Sequence, residues 1–198
     1  GEDLNSRPDC SASRWIIDFA ALPISDAEQY ELPFNHVKKT VKFERANNKR
    51  KARKEYWWQY AEKAMGMRKA IASLQKVIVI AQVSKTLMPQ FVDSKQVLDA
   101  KLIVFASDAA ADLAILSSSM HRDWVIKYGT SMRQDPTYVP SAVFVPFPRP
   151  QNTDALAAIG KTLDEERREI MMRRQLGLTK LYNLVNDPDI SDSSDRDS

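Results

Sequence analysis

At 198 residues, 43% of them apolar, the chain is long enough for one domain with a real core and too apolar to be disordered throughout. Net charge is +3, but residues 187–198 hold five Asp and one Arg, which leaves +7 on residues 1–186. A single cysteine, Cys10, excludes an intramolecular disulfide and a zinc ribbon and points to a reducing, cytoplasmic setting. No apolar run approaches the roughly 18 residues that span a bilayer.

In chain order, Gly1-Glu2-Asp3-Leu4-Asn5 is neither a signal peptide nor a start methionine and reads as the cut edge of a longer polypeptide. Residues 6–13 are polar and turn-like, and residues 14–19, Arg-Trp-Ile-Ile-Asp-Phe, read as a strand entering a core. Pro23 ends it, and Ser25-Asp26 opens a helix. Phe34, Val37 and Val41 then recur at helical spacing, with Asn47-Asn48 as the interruption and residues 55–63 as its resumption. Residues 67–74 read as a short helix before the apolar strand 77–83.

Short strands are expected at 90–92, 97–98 and 102–105, with 85–89 as a loop. Ser107 is the expected cap of a helix from 109 to 120, with Leu113, Leu116 and Met120 on one face, continuing to Tyr128 and stopping at Gly129. Residues 130–138 read as loop and 142–145 as a last strand, closed by Pro146, Pro148 and Pro150. A long helix starts at Asp154, and a short one follows Gly177. The sum is an α+β fold: a mixed small-sheet domain over residues 1–150, a C-terminal helical arm over 151–186, and an acidic, Ser-rich, disordered tail over 187–198.

The segment that carries chemistry is 38–84. Lys38, Lys39, Lys42, Arg45, Lys49, Arg50, Lys51, Arg53 and Lys54 are nine cations in seventeen residues, opposed only by Glu44, and Tyr56, Trp57, Trp58 and Tyr60 follow at once. Such a run repels itself unless solvent or a polyanion takes up the charge, and a phosphate backbone is the commonest such polyanion. Adjacent tryptophans on a helix diverge by about 100°, so one is expected in the core and the other near the surface or a ligand. Trp15, Trp124 and Phe144 are expected in the core. No Gly-rich cofactor loop, no Glu-x-Lys and no Asn-Pro-Pro-aromatic motif is present, and His36 and His121 form no constellation in sequence.

Several patterns together resemble one family. Residues 1–8 with Arg14-Trp15-Ile16-Ile17-Asp18-Phe19 resemble the segment after the catalytic domain in MmeI-like (type IIL) DNA methyltransferases, large bacterial restriction–modification and phage-defence proteins. Arg53-x-Glu55-Tyr56-Trp57-Trp58-x-Tyr60 with Arg68-x-Ala70-Ile71 resembles that family's Trp-Trp signature, and Ala81-x-Val83-Ser84-Lys85 its strand end before the recognition loops. Ser118-x-Met120-His121-x-x-Trp124, Tyr138-x-Pro140-Ser141 and Phe144-x-x-Phe147-Pro148 resemble its target recognition domain. Arg173-x-Gln175-x-Gly177-Leu178-Thr179-Lys180-Leu181-Tyr182-Asn183 is similar to its C-terminal helical segment.

The resemblance implies a sequence-specific double-stranded DNA recognition domain. Its parent would be an S-adenosylmethionine-dependent adenine methyltransferase whose cofactor fold and Asn-Pro-Pro motif lie upstream, so this stretch alone binds no cofactor and holds no metal or catalytic residue. On that reading Lys49, Arg50, Lys51, Arg53, Lys54 and Arg133 meet the DNA backbone, and Gln82, Ser84, Lys85, Thr86 and Gln90 read bases, with residues 131–138 the next place to look. The alternatives are a nucleic-acid-binding module without base preference and a basic domain that docks an acidic protein.

Overall fold

The computed structural model describes residues 1–132, 135–151 and 153–190. In chain order these form α1 (Glu2–Ser6), α2 (Ile24–Ala27), α3 (Glu31–Ala46), α4 (Lys51–Glu55), α5 (Met65–Ile71), β1 (Lys76–Ala81), β2 (Gln90–Asp93) and β3 (Leu102–Phe105). There follow α6 (Ala110–Ser117), α7 (Ser119–Tyr128), β4 (Thr130–Met132), β5 (Asp135–Thr137), α8 (Pro140–Val143), α9 (Asp154–Arg174) and α10 (Leu178–Val185). The fold is α+β, as the sequence implies. The chain divides into two compact units, one of Gly1–Ser13 with the chain from Ile71 onward, the other of Arg14–Ala70.

The larger unit is built on β1. Its Val-Ile-Val-Ile run is buried on both faces, which suits β-branched side chains on a pleated surface. β1 is the middle strand of an antiparallel sheet in the order β2-β1-β3, with Ile78 opposite both Phe91 and Phe105. Ile78, Ile80, Leu87, Phe91, Phe105, Leu113, Leu116, Val125, Tyr138 and Val143 form one core, and Trp124 and Phe144 pack against it half-buried.

The expected helix from 109 to 128 is two helices. Ser118 leaves the helical conformation, and its hydroxyl accepts a hydrogen bond from the His121 N–H (3.1 Å), capping α7. Met120 consequently lies outside the core, exposed on α7. Ser107 precedes α6 by two residues more than a cap would; it donates to Asp112 (2.5 Å) and accepts from the Ala109 N–H. Behind them α9 packs on α6 at Gly160, where a Cβ would run into the Ala110 carbonyl oxygen and lie 2.6 Å from its carbon. The chain leaves α9 at Gln175 in the left-handed conformation, and α10 returns to pack on α1.

Three stretches of the larger unit differ from their sequence reading. Residues 142–145 are not a strand: Pro140 stands at the start of a helical turn, a position suited to its fixed φ and missing N–H, and Val143 of that turn enters the core. Residues 97–98 are loop, held by turns in which Asp93 and Asp99 accept from the N–H of Lys95 and Lys101. Conversely, residues 130–132 and 135–137 are not loop: β4 and β5 pair antiparallel as a hairpin, with Ser131 opposite Pro136.

The smaller unit is helical around Phe19, Ala27, Phe34, Val37 and Trp57, whose rings meet edge-on or tilted (Phe19–Phe34 6.1 Å, Phe34–Trp57 5.3 Å). Residues 14–19 are not a strand, because the unit has no strand to pair with among its described residues. Asp18 instead accepts from the Ala20 N–H and pairs with Arg68 at 2.5 Å, and Trp15 is fully exposed rather than in the core. The second helix of the cationic stretch lies at Lys51–Glu55 and not at 55–63, so Trp57 and Trp58 sit in a turn: Trp57 is buried and Trp58 half-buried.

One buried polar pair in the larger unit, His121 and Tyr138, is joined by hydrogen bonds that fix its protonation. His121 donates from Nδ1 to the Leu116 carbonyl (3.0 Å), which leaves Nε2 as the acceptor for the Tyr138 hydroxyl (3.0 Å). Burial holds the imidazole below its ordinary value and pushes the phenol up. Unfolded chains take up the proton near pH 6.5 and the folded protein does so only lower, so the stability His121 contributes is complete above about 6.5 and is lost as pH falls. The fall in Tm between pH 7.5 and 5.5 is therefore expected to be shallower in His121→Asn than in the parent. Tyr138→Phe leaves Nε2 without its donor and costs about 1–3 kcal/mol by urea unfolding. Gly160→Ala is expected to destabilise by a similar amount, about 1–3 kcal/mol. Gly66→Ala, on α5 with open space around the added methyl, stabilises by about 0.5–1 kcal/mol in the same assay.

Candidate nucleic-acid interface

In the smaller unit the cationic stretch divides by role. Arg45 is structural: its guanidinium donates to the carbonyls of Trp57 (3.1 Å) and Gln59, closing the Trp-Trp turn onto α3. The same turn is held from the other side, where the Trp58 indole N–H (2.9 Å) and the Gln59 amide (2.6 Å) both donate to the Leu22 carbonyl. Lys42 lies over the Trp57 ring at 5.4 Å.

Lys49, Arg50, Lys51 and Lys54 are all exposed, the first two in the bend before α4 and the others on it. The Asn48 side chain accepts from the Arg50 N–H (2.9 Å) and shapes that bend. Lys51 pairs loosely with Glu55 across one helical turn (3.5 Å), a contact of little strength in solvent. Arg53 is half-buried, and its Nε is buried with no partner among the described residues. This arrangement presents four exposed ammonium or guanidinium groups to solvent within six residues. It suits sequence-independent contact with phosphates.

In the larger unit the exit of β1 forms a platform. The Gln82 N–H donates to the Lys101 carbonyl (2.8 Å), and the Gln82 carbonyl accepts from the Tyr138 N–H (2.7 Å). Val83 bridges Thr137, and the Ser84 N–H donates to the Pro136 carbonyl (3.3 Å). The β4–β5 hairpin is thereby a continuation of the sheet along β1, tied by backbone bonds to the loop that follows. Ser84 accepts from the Leu87 N–H (3.3 Å) and lies 3.3 Å from the Thr86 hydroxyl. Leu87 is buried with φ 51°, so the loop is pinned by a core side chain in a backbone conformation L-residues avoid.

The residues expected to read bases are thus sorted. Lys85 is exposed and aims outward from a pinned loop; Gln82, Ser84 and Thr86 are half-buried beside it, with the Ser84 and Thr86 hydroxyls bonding within the loop. Gln90 is not available. It is 1% exposed on β2, where its amide nitrogen lies 3.5 Å from Asp164 of α9 and its Oε1 meets no partner among the described residues, so it is enclosed between sheet and helix and does not reach a ligand at the surface. Arg133 lies outside the described residues. The stretch named from sequence as the next place to look supplies a hairpin instead of a loop: Thr130, Ser131 and Met132 are all exposed, with exposed Asp135 opposite Met132. A two-stranded antiparallel ribbon of this kind has the dimensions of a major groove.

Among the described residues no cluster of His, Cys, Asp or Glu is arranged to hold a metal ion, and no helix is long and apolar enough to cross a membrane.

No curated protein matches the chain. A solved structure, that of the type IIL restriction–modification enzyme MmeI in complex with DNA, is similar in fold, with a TM-score of 0.64 at 19% identity. The match covers 94% of this chain and 24% of that one, so the chain spans about a quarter of the enzyme's length. The family model of the MmeI target recognition domain matches residues 11–151, which take in the Trp-Trp turn, the three-stranded sheet and the hairpin. The chain belongs to the MmeI target recognition domain family.

Proposed function

We propose that the chain recognises a specific double-stranded DNA sequence on behalf of a larger S-adenosylmethionine-dependent adenine methyltransferase of a restriction–modification or phage-defence system. The observation that carries this reading is the platform at the end of β1. An exposed lysine and an exposed hairpin stand on a buried strand, fastened to one another by backbone hydrogen bonds, within the segment matched by the target recognition family model.

Recognition divides into two kinds of contact. Lys49, Arg50, Lys51, Arg53 and Lys54 hold phosphates and bring affinity without selectivity, with Arg133 placed in the same role. Lys85, with Gln82, Ser84 and Thr86 around it, reads base edges; lysine donates to guanine O6 or N7, and glutamine pairs bidentately with adenine. The exposed hairpin residues Ser131, Met132 and Asp135 extend that reading surface. Ser131 offers a hydroxyl, Met132 an apolar contact for a thymine methyl, and Asp135 an acceptor for a cytosine amino group. Methyl transfer to a flipped adenine belongs to an upstream domain of the same polypeptide, which supplies the cofactor. The setting proposed is the bacterial cytoplasm.

Selection from a random duplex pool, followed by titration of the recovered site and a scrambled duplex, tests the reading. Lys85→Ala is expected to cost about 1–3 kcal/mol against the recovered site and to relax selectivity at one base pair, leaving scrambled DNA nearly unaffected. Gln82→Ala has the same pattern at a second position. Replacing Lys49 and Lys54 together with glutamine weakens binding to both duplexes alike and lowers the salt slope by about two. A pool that yields no preferred sequence, or a Lys85→Ala protein that loses both duplexes equally, contradicts the assignment.

A further inference from the structure

β3 is an edge strand, since β1 pairs with it on one side and the sheet ends there. The pairing register decides which backbone groups face outward. The Gln82 N–H meets the carbonyl of Lys101, the residue opposite it, so alternate residues Lys101, Ile103 and Phe105 turn their amides toward β1. Val104 between them turns its N–H and C=O away. Among the described residues neither group meets a hydrogen-bond partner.

Alongside this edge runs a cleft of about 390 Å³. Val104 and Phe105 line it from the strand, Leu116 from α6 and Phe144 after α8, with Asp112 and Arg149 also in its lining. Asp112 is occupied by the Ser107 hydroxyl at 2.5 Å. Arg149 is exposed and stacks its guanidinium on the Phe144 ring at 4.1 Å, which holds a planar cation over the cleft with its N–H fork unpartnered among the described residues and open to a carboxylate.

We infer that the β3 edge and this cleft form a docking site for an extended peptide strand of a partner protein, one that carries an apolar side chain and, two residues along, an acidic one. An unpaired edge residue supplies one donor and one acceptor at the spacing of a main chain, which an added strand satisfies. The cleft is of a size to take an aromatic or branched side chain from that strand, with the walls already apolar. Because side chains two apart share a face, the residue after next reaches Arg149. The single cation suits one carboxylate and is too few for a duplex backbone. The inference stands on the sheet edge, independently of DNA recognition by the loop and hairpin.

The probe is a fluorescein-labelled nine-residue peptide of alternating threonine and valine, with a central phenylalanine and a glutamate two residues beyond it, titrated by anisotropy against the whole chain. Saturable binding is expected. It should weaken about tenfold when the peptide amide that faces the edge is N-methylated, since the hydrogen bond to the Val104 carbonyl is lost. Arg149→Gln, or a peptide with lysine for the glutamate, should weaken it about three- to tenfold. Val104→Pro removes the outward N–H without touching a bond to β1 and should act like N-methylation; the methylated peptide makes the same test with the protein unaltered. No saturable binding up to about 1 mM, indifference to N-methylation, or displacement of the peptide by a random duplex overturns the inference.

Discussion

The burial of β1 between two antiparallel neighbours is the constraint on which the larger unit depends. Four consecutive β-branched residues, Val77 to Ile80, are withdrawn from solvent, so the strand admits almost no freedom of register: a slip of one residue exchanges every side chain between two packed faces. That fixed strand then determines where its polar continuation emerges. Gln82 and Ser84 keep pairing past the end of β3, now with Tyr138 and Pro136, so the position of the hairpin and the loop follows from the position of the core. A reading surface of this kind inherits its rigidity from apolar packing, and its specificity from a few side chains that leave it.

The same economy governs the charged segment. Nine cations in the sequence suggest a uniform basic face, but the structure gives them different tasks. Arg45 spends its charge on two main-chain carbonyls and thereby holds Trp57 in the core, while Lys42 lies over the face of the same ring. Those left toward solvent around α4 are not fixed by any comparable bond. Exposed cations suit a ligand whose charge repeats along its length, whereas the pinned loop after β1 suits one whose chemistry changes from step to step.

How much of this was legible depended on whether the deciding partner was near in sequence. The strands β1, β2 and β3 were readable because their apolar runs are continuous and bounded by polar residues, and α9 because its pattern is long. The hairpin was not: β4 is Thr-Ser-Met and β5 contains Pro136, so neither has the composition of a strand, and both owe their conformation to each other and to the edge offered at Val83. Gln90 looked like a polar residue next to a loop, and only the approach of Asp164, 74 residues away, shows it to be interior. Trp15 failed in the other direction. Size and hydrophobicity placed it in the core, but the surrounding residues form no strand to carry it there. The resemblance to a target recognition domain, by contrast, was carried by short motifs in order along the chain, which need no tertiary information, and the family match bears it out.

The central claim is that the loop after β1 and the β4–β5 hairpin together face the bases. Amide hydrogen exchange of the chain with and without its selected duplex tests it most directly, because it locates the contact without altering a residue. The account predicts slower exchange at residues 84–86 and 130–137 with the selected duplex and not with a scrambled one, and slower exchange around α4 with both. Protection confined to α4 for both duplexes, with the loop and hairpin unchanged, would contradict it.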